Sequence, residues 1–127
     1  MQRDMDYVRE LLLKIEDSQD SPRSDELLSA NADPDEYKKL SYHLNMLINE
    51  AGLVTGIPAH HYTGRHWIEL NLTWQGHEFL DAIRDAKIWR HTRETASNAG
   101  GWTLEILKEL ATAYLKAQIA KTTGLSL

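Results

Sequence analysis

Apolar residues near the start of the chain recur with a helical period. Met5, Val8, Leu12 and Ile15 fall on one face and Leu11 widens it, so an amphipathic helix is predicted over 3–17. Asp4 and Asp6 belong in its first turn, where carboxylates suit the helix dipole. The segment Ser18 to Ser24 (SQDSPRS) reads as a turn punctuated by Pro22, followed by a short extended or helical piece, Asp25 to Leu28. Asp33 as N-cap and Pro34 at the first helical position start a second helix, which runs to about Ala51 and stops at Gly52. Its apolar face is Tyr37, Leu40, Leu44, Leu47, Ile48 and Ala51. Its other face carries Lys38, Tyr42, Asn45 and Asn49.

The period then changes to two. Leu53 to Ile57 is a predicted strand, and 58–65 is a loop rich in His and Gly. His66 to Leu72 alternates, with His66, Ile68, Leu70 and Leu72 on one side and Trp67, Glu69 and Asn71 on the other. Together they predict a β-hairpin with a long tip. Thr73 caps a third helix that turns Phe79, Leu80 and Ile83 inward. Phase is lost near Asp85, which predicts a break, and 87–97 is helical again. Asn98 to Gly101 is a turn. A last helix over 103–121 has a broad apolar face of Leu104, Leu107, Leu110, Ala111, Tyr114, Leu115 and Ile119.

The fold class expected from this order is α+β and mostly helical. A winged-helix-like domain over 1–84 is followed by a C-terminal helical extension over 85–121, packed on it or on a second subunit, and by a frayed tail over 122–127. The blocks MQRDMDYVRELLLKIE, YHLNMLINEAGL and LTWQGHEFLDAIRDAKIW resemble a family of bacterial and phage proteins known as domain of unknown function 2513. The resemblance covers nearly the whole chain. It implies a winged-helix-like fold and frequent carriage by prophages, and it brings no established activity. A full helix-turn-helix places a separate helix before the recognition helix. Only 25–30 is available for it here, and that piece is short and acidic.

Charge bears on the choice of partner. Fourteen Lys and Arg stand against nineteen Asp and Glu, a net of −5. The imbalance lies in the first 52 residues, where six basic residues meet twelve acidic ones, a net of −6. This disfavours a general coat for nucleic acid. The chain has no cysteine, so disulfides, thiolate metal sites and cysteine nucleophiles are excluded, and a cytoplasmic setting is expected. The first residues lack the apolar run of a signal peptide, and no stretch is long and apolar enough to span a membrane.

Candidate chemistry is sparse. On the second helix, Lys38, Tyr42, Asn45 and Asn49 form either a solvated face or one that reads base edges. The hairpin tip has no acidic residue from Val54 to Trp67 and carries His60, His61, Arg65 and His66, the composition of a wing that presses on phosphate. Arg84, Lys87, Arg90, His91 and Arg93 make the most basic stretch, spiralling around their helix near Asp81, Asp85 and Glu94, either as solvated charge beside those carboxylates or, through Arg84, Lys87 and Arg90, as a phosphate contact. Leu104, Leu107, Ala111, Tyr114 and Leu115 are a candidate dimer surface, or else pack within the chain. The six histidines lack paired metal-ligand spacing, and no phosphate loop, dinucleotide or nucleophile-elbow motif appears. No metal, no cofactor and no catalytic activity are therefore expected. Trp67, Trp74, Trp89 and Trp102 are expected in the core. Two functions follow: a dimeric DNA-binding regulator from a mobile element, or a protein-interaction module that binds a host or phage protein.

Overall fold

The computed structural model describes residues 1–62, 64–98, 100 and 103–124. Five helices and one two-stranded antiparallel sheet make it α+β and mostly helical: α1 (Met5–Asp17), α2 (Pro34–Asn49), β1 (Val54–Pro58), β2 (Trp67–Leu72), α3 (Trp74–Ile83), α4 (Ala86–Asn98) and α5 (Leu104–Thr123), with a 3-10 turn at Ser24–Leu27. The chain forms two compact units, Met1–Glu78 and Phe79–Leu127.

In the first unit, Asp4 lies outside α1 as its N-cap, accepting from the Tyr7 N–H. A carboxylate there satisfies an orphan donor that a first-turn position would leave open. Asp33 caps α2 through the Glu36 N–H, with Pro34 behind it. Gly52 takes the left-handed conformation (φ 66°) that lets the chain leave α2. The core gathers Met5, Val8, Leu11, Leu12 and Ile15 from α1, Leu40, Leu44 and Leu47 from α2, and Val54, Trp67 and Leu70 from the hairpin. His43, between Tyr42 and Leu44, is fully buried among them.

The sequence's strict alternation in β2 is broken. Thr55 pairs with Asn71 and Ile57 with Ile68, so Gly56 faces two residues, Glu69 and Leu70. Glu69 absorbs the extra residue at φ 53°. The bulge turns both Trp67 and Leu70 into the core, where alternation had set them on opposite sides. Leu70 presses on Gly56, where an added Cβ would lie 2.8 Å from a Leu70 methyl. The predicted turn 18–24 also gains a role. The Pro22 carbonyl accepts from the Leu70 N–H (2.9 Å) and Ser24 Oγ from the Trp67 N–H (3.1 Å). The segment therefore lies beside β2, and part of one edge of the small sheet is covered.

In the second unit, Asp85 breaks the helix by accepting from the Lys87 and Ile88 N–H groups, and so starts α4. α4 packs on α5, with the Thr95 and Tyr114 hydroxyls 2.7 Å apart. α5 continues through Thr123 to a left-handed Gly124, so 122–123 are helical rather than frayed. Residues 125–127, Trp102, and Ala99 and Gly101 of the predicted turn lie outside the described residues. Thr92 on α4 is fully buried, and its Oγ1 has no hydrogen-bond partner among the described residues. An unsatisfied buried hydroxyl costs roughly 1–3 kcal/mol. Thr92→Val, nearly equal in shape, is expected to raise the melting temperature by several degrees in a thermal scan; an unchanged or lower value would show that the hydroxyl is satisfied.

Candidate functional site

The first unit contains one groove whose lining matches the predicted chemistry. It encloses about 740 Å³ between the first half of α2, the preceding Ala32–Asp33 loop, the chain start at Met1 and the hairpin tip. Tyr37, Lys38, Ser41 and Tyr42 line it from α2, Gly64 and Arg65 from the tip. Lys38 and Arg65 are exposed. Among the described residues, neither side chain meets a carboxylate within ion-pair distance.

Tyr37 fixes the tip to α2. Its hydroxyl donates to the Arg65 carbonyl (2.5 Å) and lies 2.9 Å from His66 Nε2. With its one proton committed to the carbonyl, the tyrosine oxygen accepts from His66 Nε2–H. Burial holds this phenol above its ordinary range, so it remains a donor. Gly64 sits flat on the ring, where a Cβ would come within 2.9 Å of Cε1. The tip is further braced by a reciprocal backbone pair between His61 and Gly64, and by the His66 N–H donating to His60 Nδ1 (3.1 Å). The His61 and His66 rings meet edge to face at 4.9 Å. The helical period had placed Tyr37 simply on the apolar face of α2, and no periodicity signal marks it as the clamp.

Asn45 and Asn49 lie further along α2, one turn apart, and Asn49 Nδ2 donates to Asn45 Oδ1 (2.8 Å). They share the Lys38 and Tyr42 side of the helix, so the predicted polar face exists as one surface. At its start it carries the exposed Asp35, whereas Glu36 lies with Tyr7 and Lys39 on the other side. On the far side of α2, Lys39 pairs with Asp4 (3.0 Å) and lies over the Tyr7 ring. Burial tends to raise the Asp4 pKa, but Lys39 and the Tyr7 N–H outweigh it and hold the carboxyl below its usual value. Tyr7 is pushed up to about 12 by burial first and by the Glu10, Glu36 and Asp4 carboxylates second.

The remaining predicted residues lie in the second unit. Arg84 pairs with Asp81 (2.7 Å), while Lys87 and Arg90 stand exposed on α4. Of the candidate dimer surface, Leu107 and Ala111 are fully buried within the single chain, and Tyr114 touches Thr95. Because α4 lies against that face, those three belong to intrachain packing; only Leu104 and Leu115 keep part of their surface without such a contact shown. Trp74 is 75% exposed rather than in the core, its indole N–H bonded to Glu78, whereas Trp67 and Trp89 are buried. Among the described residues, no group of three or more metal-ligating side chains comes together, and no helix is long and apolar enough to cross a membrane.

A family model described as a hypothetical protein, DUF2513, matches residues 2–102. The chain belongs to the DUF2513 family. A relative from Haemophilus influenzae (strain ATCC 51907 / DSM 11121 / KW20 / Rd), described as an uncharacterized protein, is 31% identical over 121 residues, covering 94% of this chain and all of its own length. No solved structure matches the chain. The DUF2513 match takes in α1 to α4 and every groove residue except Met1.

Proposed function

We propose that this protein is a noncatalytic, winged-helix-type DNA-binding regulator of the cytoplasm, from a mobile-element setting, with α2 as its recognition helix and the hairpin as its wing. The observation that carries this reading is the groove that brings two cations without carboxylate partners, Lys38 and Arg65, to one surface with Tyr42. In the groove of a duplex, Asn45 and Asn49 supply amides suited to adenine edges, and Arg65 supplies a phosphate contact. Lys87 and Arg90 are further phosphate candidates. Two copies on a two-fold site would suit so small a reader.

The test is a titration on specific and random duplexes at two salt concentrations. Arg65→Ala is expected to weaken binding to all duplexes alike and to reduce the salt slope by about 1. Asn45→Ala is expected to reduce sequence preference, by roughly 1–3 kcal/mol at the base it reads. Absence of binding at low salt overturns the reading. The protein-interaction module then takes its place, favoured by the acidic start of α2 and by Ile57 and Tyr62, large side chains that stand exposed on the hairpin.

A further inference from the structure

The hairpin tip holds three imidazoles, and the structure gives them unequal roles. His60 accepts the His66 N–H at Nδ1, so that nitrogen carries no proton. His66 is engaged through Nε2 with the Tyr37 hydroxyl. His61 alone of the three has neither ring nitrogen in a hydrogen bond among the described residues; its ring is exposed and meets the edge of His66. We propose that His61 is a conditional cation of the nucleic-acid surface, taking up a proton when the phosphate backbone of a duplex approaches the tip. This rests on the DNA-binding reading above and adds the ligand-linked group.

The surroundings decide the sign. The titratable and charged groups of the groove beside the tip are the Met1 ammonium, Asp33, Tyr37, Lys38 and Tyr42, with His60, Arg65 and His66 from the hairpin itself. Asp33 at the groove margin is committed to the Glu36 N–H, and 54–68 contains no carboxylate. A phosphate beside Arg65 favours the protonated imidazole of His61, because an opposite charge within a few ångströms stabilises the cation. Proton uptake and duplex binding then strengthen each other by linkage.

Duplex affinity measured at constant ionic strength at pH 7.5 and pH 6.0 tests this. Wild type is expected to bind about three- to fivefold more tightly at pH 6.0, the gain from one imidazole whose protonation the duplex favours. His61→Gln is expected to remove the difference. His61→Arg is expected to bind more tightly at pH 7.5 and to show no pH dependence. His77→Gln, on α3, is expected to keep the full wild-type response. Binding that is equal at both pH values, or a His61→Gln variant that keeps the response, overturns the role of His61 and leaves the DNA reading standing. No binding of any duplex at either pH overturns both.

Discussion

Gly76→Ala is expected to lower the melting temperature by about 10 °C or more, opposite to the usual outcome in a helix. Within an ordinary helix, alanine is about 1 kcal/mol more favourable than glycine. Gly76 is buried in the first turn of α3, and a Cβ there would lie 2.0 Å from the Leu53 carbonyl oxygen. That oxygen cannot step aside cheaply, because it accepts from the Thr73 N–H (3.0 Å), while Thr73 Oγ1 accepts from the Gly76 N–H (3.0 Å) and reaches back to the Gly52 carbonyl. These bonds seat the start of α3 on the base of the hairpin. Relieving the clash means separating backbone from backbone by more than 1 Å and losing part of that set. Overpacking and a broken buried hydrogen bond together cost roughly 3–4 kcal/mol, which outweighs the propensity gain. A Gly76→Ala variant that melts at or above wild type by circular dichroism would contradict the packing described.

The second large effect concerns His43. Its Nδ1–H donates to the Lys39 carbonyl (2.7 Å), and its Nε2 accepts from the Asp4 N–H (2.9 Å), so the neutral ring ties the start of α1 to α2. The Tyr7 and Tyr42 rings meet it edge-on. Burial holds its pKa below the ordinary imidazole value; the Lys39 carbonyl and the Asp4 carboxylate oppose this, and the Lys39 ammonium adds to it. A depressed folded pKa means that the unfolded chain binds the proton more readily. The stability that His43 contributes is therefore complete above about pH 6.5 and is lost as pH falls below it. The limiting slope for one proton is about 1.4 kcal/mol per pH unit. His43→Leu keeps most of the volume but leaves the Asp4 N–H without its acceptor, at a cost of roughly 2–3 kcal/mol at pH 7.5. The same variant is expected to lose less stability than wild type between pH 7 and 5.5. Urea unfolding at both pH values checks this, and parallel losses in the two proteins would contradict it.

How far the sequence carries the fold follows from which signals are local. Asp33–Pro34 and Thr73 mark helix starts by capping chemistry, and each sits where it was read; the break near Asp85 was legible from lost phase, while α2 stops at Asn49, short of the Ala51–Gly52 end that was read. The α1 face was plain because five apolar residues repeat at helical spacing. The bulge at Glu69 was not, because a left-handed glutamate has no pattern of its own and depends on Gly56 across the sheet. His43 lies between Tyr42 and Leu44 with nothing local to say that both ring nitrogens find backbone partners. Of the surface, the Lys38–Tyr42 stripe and Arg65 were legible as residue types. Their meeting in one groove was not, because it depends on Tyr37 reaching the Arg65 carbonyl 28 positions away. The α5 face shows the converse limit: an apolar stripe looks the same whether its cover is α4 or a second chain.

The central claim is that α2 and the hairpin tip form one DNA-facing surface. Amide chemical-shift mapping of the labelled protein during addition of a short duplex at low salt tests it directly. The account predicts perturbations at Lys38, Tyr42, Asn45, Asn49 and the tip residues through Arg65, fading as salt is raised. An unchanged spectrum, or shifts confined to residues outside this surface such as the exposed side of α5, would contradict it.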